Sequence, residues 1–222
     1  MNVAVIRFPG TNCEFDTQYA FERIGAKTQL VWHKEQKLPP CDLVVLPGGF
    51  SYGDYLRSGA IARFSPVMQA VKEFADKGGY VLGICNGFQI LLESHLLPGA
   101  MKRNEHLHFV SKFQYIKVIH NDNKFLSKTE KGEILNIPIA HSEGNYFVDD
   151  ETLKRMHEKG QIILKYCDEH GGYDNPNGSL EAIAGICNEA KNVFGLMPHP
   201  ERACEKILGS EDGIKMIKGF FD

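Results

Sequence analysis

The sequence predicts an α/β protein with a doubly wound, mostly parallel sheet flanked by helices. Two observations support this prediction in the first hundred residues. The runs 2–8 and 42–47 are rich in apolar and β-branched residues, as strands buried on both faces are. Helical patterns alternate with such runs through short connections, in the order β-α-β-β-α-β-α. This order with short connections is typical of a parallel sheet that carries helices on its faces.

Further elements follow from capping and turn residues. Strands are expected at 2–8, 28–32, 42–47 and 80–82, and helices over 15–24, 66–77 and from 88 onward. Gly25 is placed to end the first helix, and Ser65 with Pro66 to begin the second. In the second half, strands are expected at 113–119, 134–140, 161–166, 180–187 and 193–197, and helices at 150–159 and 211–221. Pro138 suggests an edge strand or a bulge, and residues 141–146 a polar loop.

Composition limits the function classes. A chain of 222 residues suits one domain over residues 1–222, and a net charge of -3 offers no electrostatic basis for binding nucleic acid or an anionic membrane. Residues 1–7 enter a strand directly, without the pattern of a secretory leader. The six cysteines include no C-x-x-C pair, so we expect reduced thiols in the cytoplasm and no metal site.

The segment around Cys85 is the first candidate for chemistry. An apolar strand runs into Gly83-Ile84-Cys85-Asn86-Gly87, and a helical pattern follows, which is the layout of a nucleophile elbow. The glycines allow a tight turn, and the helix N-terminus favours a thiolate. The alternative is a buried structural cysteine between two packing glycines. The elbow interpretation therefore needs a base and oxyanion donors elsewhere in the chain.

Residues that follow other predicted strands supply the base and the oxyanion donors. His199 and Glu201 follow the strand 193–197 on alternate positions between prolines, and can point the same way. Taken alone, each is more often a packing or surface residue than a catalytic one. With Cys85 they complete a Cys-His-Glu triad, and the backbone N–H groups of Gly49 and Asn86 are the expected oxyanion donors. The predicted reaction is acyl transfer through a thioester.

These motifs carry a family resemblance. Pro47-Gly48-Gly49, the segment 83–89 and His199-Pro200-Glu201 resemble a class I (triad) glutamine amidotransferase, whose fold is flavodoxin-like. The longer segments 48–62, 175–179 and 197–202 resemble the family of glutaminase subunits of phosphoribosylformylglycinamidine synthase, of purine biosynthesis, and the likeness runs nearly end to end.

The resemblance implies roles, a substrate and partners. L-glutamine would be attacked by Cys85, with Gln89 helping to hold it and with Gly144 and Asn145 contacting its amino-acid end. The ammonia would pass to a large synthetase subunit that converts formylglycinamide ribonucleotide to formylglycinamidine ribonucleotide, assisted by a small third subunit. ATP and magnesium are expected on that partner, with no cofactor in this chain, which shows neither of the common glycine-rich nucleotide motifs.

Three alternatives stay open on the triad alone. The chain could be a free-standing cysteine hydrolase of the same fold, an amidotransferase subunit of another synthetase, or a non-catalytic scaffold subunit. The presence of all three triad residues argues against the scaffold, because an inactive site has no chemical need for them. We expect the isolated chain to be a poor glutaminase whose site the partner orders.

Overall fold

The computed structural model describes residues 1–221, and Asp222, the last residue of the predicted domain, lies outside them. Eleven strands are found within that range: β1 (Asn2–Arg7), β2 (Lys27–Trp32), β3 (Leu43–Leu46), β4 (Tyr80–Ile84), β5 (Ala100–Lys102), β6 (Val110–Val118), β7 (Ile134–His141), β8 (Asn145–Phe147), β9 (Ile162–Cys167), β10 (Ile183–Cys187) and β11 (Val193–Leu196). The α-helices of the same range are α1 (Glu14–Arg23), α2 (Pro66–Asp76), α3 (Asn86–Glu93), α4 (Asp150–Glu158) and α5 (Asp212–Lys218).

Nine of these strands form one sheet in the order β2-β1-β3-β4-β11-β10-β9-β6-β7. The five strands from β2 to β11 pair in parallel, and the pairs from β11 to β7 are antiparallel. Following these pairings, only β10 and β6 run against the other seven strands of this sheet. The predicted fold class, a mostly parallel sheet flanked by helices, is confirmed.

The sheet order places four loops side by side. β1, β3, β4 and β11 are consecutive neighbours, and the carboxyl ends of parallel strands meet at one edge of a sheet. The segments that follow these strands contain Cys13, Gly49, Cys85 and His199. The register of the central pair aligns Ile84 with Leu196, so the candidate nucleophile and base leave the sheet next to each other.

The edge strand β7 also lies close to the loops that follow β4 and β11. It ends the sheet order, as Pro138 suggested, and pairs with β6 alone within the nine-stranded sheet described. The carbonyl of Pro138 nevertheless accepts the backbone N–H of His199 at 2.8 Å, and the carbonyl of Ala140 lies 3.6 Å from Cys85 Sγ. The antiparallel half of the sheet therefore curves back over the loops that follow β4 and β11.

The structure differs from the sequence-based expectation at element boundaries. The loop expected over 141–146 is shorter, because β7 continues through His141 and Asn145 opens β8, which pairs with β5 as a two-stranded ribbon. A 3₁₀ turn at Leu180–Ala182 precedes β10, where one long strand was expected. Short paired segments of two or three residues carry too little periodicity to be read from sequence.

The core is continuous across both halves of the sheet. β3 is buried along its whole length, and so are β10 and β11. Such strands read as unbroken apolar runs because helices or other strands cover both faces. Among residues 1–221, no helix has the length and apolar character needed to cross a bilayer.

Candidate active site

The backbone at Cys85 has the strained geometry of a nucleophile elbow. Cys85 joins β4 to α3 with φ 50° and ψ -105°, in the positive-φ region that favours glycine. Its N–H donates to the carbonyl of Leu196 at 2.8 Å, which ties the turn to β11. The thiol is buried and donates to the carbonyl of Ala140 at 3.6 Å.

The elbow requires glycine at positions 83 and 87 because the neighbouring backbone leaves no space for a side chain there. A Cβ atom on Gly87 would lie 1.8 Å from the carbonyl oxygen of Leu46, and one on Gly83 would lie 2.7 Å from the backbone of Gly87. Both obstacles are main chain and cannot rotate away. The spacing of glycines around Cys85 is therefore set by the contact of α3 with β3 and β4.

His199 and Glu201 form a buried pair after β11. His199 Nδ1 and Glu201 Oε1 are 2.7 Å apart, and both side chains are almost wholly buried. With the carboxylate as acceptor, Nδ1 carries the proton and the ring plane is fixed. The bond from the His199 backbone N–H to Pro138 fixes the main chain as well.

The other ring nitrogen remains available. His199 Nε2 is buried and has no hydrogen-bond partner among the described residues. Burial alone would lower the pKa of His199, but the charges of Glu201 and of the Cys85 thiolate raise it well above its ordinary value. The site therefore favours the protonated imidazolium form of His199.

The loop after β3 packs against the histidine. A Cβ atom on Gly48 would lie 2.7 Å from His199 Cε1, and one on Gly49, whose φ is 143°, would lie 2.7 Å from the backbone nitrogen of Asn12. Gly48 therefore lies against His199, and Gly49 against the loop that follows β1. Asn86, the other predicted oxyanion donor, is the first residue of α3 and directly follows the thiol. Their oxyanion role stays a prediction.

Gln89 is held inside the protein. Its Nε2 donates to the carbonyl of Glu143 at 2.6 Å, and its Oε1 accepts from the side chain of Asn86 at 2.9 Å. The side chain of Asn86 also accepts the backbone N–H of Ser51 at 3.1 Å. Gln89 thus fixes the loop that follows β7 to α3, and its predicted contact with substrate stays a prediction.

Gly144 and Asn145 lie beyond Glu143 in the same loop. The N–H of Gly144 donates to Asn104 Oδ1 at 3.0 Å, so it is engaged within the protein. A Cβ atom on Gly144 would lie 2.2 Å from the ring of His141, which leaves no room for a side chain. Asn145 is half-buried and begins β8, opposite Lys102. A role of either residue in binding substrate stays a prediction.

A buried polar cluster next to this loop was not expected from the sequence. Asn177 donates to His141 Nε2 at 3.0 Å and accepts the N–H of Ser179 at 3.1 Å, which fixes the orientation of its amide. The neutral His141 ring therefore carries its proton on Nδ1. Asn177 also donates to Tyr166 Oη at 3.3 Å. Burial raises the pKa of Tyr166, and the charge of Cys85 adds to this shift, so the phenol lies near the nucleophile.

Asp54 is another ionisable group near the site that was not predicted from the sequence. It lies in the loop after β3, 3.4 Å from the side-chain nitrogen of Asn86. Burial raises its pKa to about 6, opposed by a hydrogen bond from Ser58 and helped by the nearby charge of Glu143. The glycine-rich segment 48–55 marked this loop, but its contact with α3 depends on side-chain packing.

Cys13 is a second thiol at the catalytic histidine. It follows β1, is buried, and accepts from Arg202 Nη2 at 3.1 Å. Burial raises the pKa of Cys13, while His199 and Arg202 act in the opposite direction. The sequence could have indicated Cys13 by its position just after a parallel strand, because the loops that follow parallel strands meet at one edge of the sheet.

Comparisons with known proteins identify the family of the chain. Residues 1–213 match the family model of the CobB/CobQ-like glutamine amidotransferase domain. The chain is 64% identical over 221 residues to the phosphoribosylformylglycinamidine synthase subunit PurQ of Sulfurimonas denitrificans, covering 99% of each chain. It is also 64% identical over 220 residues to the subunit of the same name from Campylobacter jejuni, covering 99% of this chain and 96% of the relative.

A solved structure extends the likeness to three dimensions. A chain in the structure of PurLQS from Thermotoga maritima has a TM-score of 0.90 and 42% identity to this chain, covering 99% of this chain and 97% of that one. Sequence and fold therefore agree over nearly the whole length. The chain belongs to the CobB/CobQ-like glutamine amidotransferase domain family and, within it, to the family of phosphoribosylformylglycinamidine synthase PurQ subunits.

Proposed function

We propose that this chain, the glutaminase subunit of phosphoribosylformylglycinamidine synthase, hydrolyses L-glutamine with Cys85 as nucleophile, His199 as proton carrier and Glu201 as the group that orients His199. One observation carries the assignment of residues. The buried His199–Glu201 pair, 2.7 Å apart, lies beside the elbow thiol with Nε2 of the imidazole unpartnered among the described residues.

The reaction follows from these positions. The thiolate of Cys85 attacks the side-chain amide carbon of glutamine, and the carbonyl oxygen becomes an oxyanion. His199 gives a proton to the departing nitrogen, which leaves as ammonia, and a thioester remains on Cys85. His199 then takes a proton from water as the water attacks the thioester, and glutamate and the free thiol are released.

The oxyanion needs donors on one side of the substrate carbon. The N–H of Asn86 at the start of α3 and that of Gly49 in the loop after β3 are the proposed pair. One such donor is worth on the order of a hundredfold to a thousandfold in rate. The side chains of Gln89 and Asn86 support this arrangement by holding the loops at Ser51 and Glu143 against α3. The amino-acid end of glutamine would lie against Gly144 and Asn145.

Ammonia passes from this site to an ATP-dependent synthetase. The relatives are named as subunits of a synthase, and the Thermotoga maritima structure carries the name PurLQS. The proposed partners are a large synthetase subunit, which holds ATP and magnesium and converts formylglycinamide ribonucleotide, and a small third subunit. All six cysteines are free, which fits the reducing cytoplasm in which we place the reaction.

Exposed apolar side chains near the site offer a face for the partner. Tyr55 and Leu56 are largely exposed in the loop after β3, and Leu107 is exposed in the segment before β6. Both segments are bonded to the loop at 142–143, through the N–H of Ser58 on one side and that of Asn104 on the other. Contiguous exposed apolar surface marks an interaction site. This face is the proposed contact with the synthetase subunit.

Labelling with a glutamine-mimicking diazoketone tests the nucleophile. Trypsin releases residues 78–102 as one peptide that contains Cys85 and no other cysteine, whereas Cys13 leaves in residues 8–23. We expect one adduct, on the peptide 78–102, detected by mass spectrometry. An adduct on residues 8–23 would assign the chemistry to Cys13 and contradict the proposal.

The Cys85→Ala variant tests the function in the assembled complex. We expect it to abolish glutamine-dependent synthesis and to leave ammonia-dependent synthesis by the partner intact. Cys41→Ser, which removes a half-buried thiol in the loop before β3, is the matched control and should retain both activities. Equal loss of both activities in Cys85→Ala would indicate a structural role instead.

A further inference from the structure

Three buried side chains at the back of the site form a cluster of metal-ligating groups. Cys13, His199 and Glu201 each offer one ligand atom, and these atoms lie within 4.8 Å of one another. A tetrahedral zinc ion with bonds of about 2.0 to 2.3 Å holds its ligands roughly 3.3 to 3.8 Å apart, so side-chain shifts of about 1 Å would close the difference. Cys13 has no part in the proposed reaction.

A second observation points to a ligand. Glu201 Oε2 is buried and has no hydrogen-bond partner among the described residues, although Oε1 is bonded to His199. An unpaired carboxylate oxygen in the interior is costly unless something satisfies it. The nearby thiol does not do so, because the Cys13 Sγ–H donates to Asn12 Oδ1 at 3.2 Å.

We propose that Cys13, His199 and Glu201 bind a zinc-type divalent cation. Thiolate, imidazole and carboxylate together are a donor set that suits zinc and does not suit the hard cations magnesium and calcium. One thiolate and one carboxylate balance the double charge of the ion, so the filled cluster is neutral in a buried place. The guanidinium of Arg202, 3.1 Å from Cys13 Sγ, supports the thiolate form and is itself paired with Asp16.

A cavity lies next to the cluster. It has a volume of about 440 Å³ and is lined by Asp16, Tyr19, Glu201 and Arg202, among others. Glu201 thus connects the cluster to this cavity, and water from it can complete the tetrahedron.

The consequence for catalysis rests on the proposed function. The neighbouring loop at Gly48 approaches both Cys13 Sγ and the Cε1–Nδ1 edge of His199, so the metal takes the place of the Nδ1 proton. Binding releases the Cys13 thiol proton and leaves the single imidazole proton on Nε2. The ion also takes the Glu201 carboxylate away from Nδ1, so the ring loses the contact that orients it and the glutaminase is switched off until the ion is removed.

To test the proposal, cobalt(II) is added to the full-length chain that carries Cys85→Ala. This substitution ensures that the nucleophile cannot supply a sulfur ligand to the metal. We expect a sulfur-to-cobalt charge-transfer band in the near ultraviolet that saturates at one equivalent. Adding Cys13→Ser should remove the band, while adding Cys41→Ser, as matched control, should leave it. Absence of the band from Cys85→Ala, or its survival in Cys85→Ala/Cys13→Ser, would overturn the proposal.

Circular dichroism shows whether the Cys13→Ser variant folds. If it does not fold, a second variant, at the carboxylate ligand, still tests the proposal. Glu201→Gln in the Cys85→Ala background keeps the sulfur ligand, so the band should persist. Removing even a group that only hydrogen-bonds to a metal ligand weakens metal binding tenfold or more, so we expect cobalt affinity to fall at least about tenfold. Unchanged affinity would exclude this cluster. Metal binding is read without turnover, so a failed glutaminase assignment would leave this result standing.

Discussion

At the scale of single residues, His141 shows how burial decides the state of an ionisable group. Its ring is buried, and the bond from Asn177 to Nε2 is compatible only with a neutral ring that carries its proton on Nδ1. Burial lowers the pKa of His141 to about 3, and the charges of His199 and His106 act in the same direction. Nδ1 has no partner among the described residues. His141 is therefore a neutral ring next to a site whose other histidine favours its charged form.

This contrast predicts how stability changes with pH. A histidine with a lowered folded pKa contributes stability above about pH 6.5, which is lost as the pH falls toward the folded value. Between pH 7 and pH 5 the loss from His141 is about 2 kcal/mol, because the unfolded chain binds the proton and the folded chain does not. Urea unfolding of the native chain and His141→Gln at both pH values should show a smaller decrease in the variant.

The control for this measurement is a histidine at the surface. His170 has a side chain 86% exposed, so His170→Gln removes an imidazole without disturbing the interior, and a difference between the two variants belongs to the buried position of His141. Asp54, whose raised pKa acts with the opposite sign, is present in all three proteins and cancels from the comparison. Equal pH dependence in His141→Gln and the native chain would show that His141 titrates normally.

At the scale of elements, helix α3 is the piece to which the loops of the site are fixed. Asn86 bonds to Ser51 in the loop after β3, and Gln89 bonds to Glu143 in the loop after β7. The amide of Asn86 also bonds to Gln89, so the two loops are linked through one turn of helix. The distance between the proposed oxyanion donors therefore depends on the side chain of Asn86 as well as on its backbone.

Removing that side chain should affect stability and rate together. In Asn86→Ala the N–H of Ser51 and the Oε1 of Gln89 lose a buried partner, which costs about 1 to 3 kcal/mol in the free energy of unfolding. A misplacement of about 1 Å at a catalytic group costs on the order of a hundredfold in rate. We expect kcat for glutamine hydrolysis in the complex to fall roughly tenfold to a hundredfold, with a smaller change in KM.

Asn192 provides a matched asparagine. It is buried at the opposite end of β11 and donates to the carbonyls of Ala75 and Gly79 at 2.8 and 2.9 Å. Asn192→Ala should lose a similar amount of stability, yet keep kcat close to the native value below its melting range. If both variants lose kcat to the same extent, the effect of Asn86 is general destabilisation and the link between the loops is not needed.

The predictable and unpredictable parts of the site differ in kind. The elbow around Cys85 and the position of His199 follow from strand ends and local glycine spacing, which a sequence shows directly. The contacts of Gln89 with Glu143 and of Cys13 with Arg202 join segments far apart in the chain through particular rotamers. The return of β7 to His199 depends on the curvature of the sheet. Neither a rotamer nor a curvature has a local pattern, so neither could be predicted.

At the scale of the whole molecule, the loop that carries Gly49 also carries exposed apolar side chains. The loop carrying Leu56, whose exposed fraction is 89%, begins at Gly49 and is fixed to α3 by Asn86. Tyr52, Asp54 and Leu56 in this loop all have positive φ, a conformation that costs energy and needs surrounding contacts to hold it. A partner seated on Leu56 would therefore also fix Gly49. This coupling gives a physical reason for expecting the isolated chain to be a poor glutaminase.

The prediction is that Leu56→Ser weakens assembly and activation without unfolding the chain. Ile207→Ser is the matched control, since Ile207 is 88% exposed in the turn Lys206–Leu208, which follows Glu205, the acceptor of the Tyr19 hydroxyl of α1. Each variant is titrated with the synthetase subunits while glutamine hydrolysis and complex mass are followed. Truncating one apolar side chain at an interface hot spot costs about 2 kcal/mol, so Leu56→Ser should raise the dissociation constant roughly thirtyfold and reach native activity only at saturation. Ile207→Ser should titrate as the native chain does. Full glutaminase activity of the native chain alone would favour a free-standing hydrolase, because a site already ordered has nothing to gain from a partner on this face.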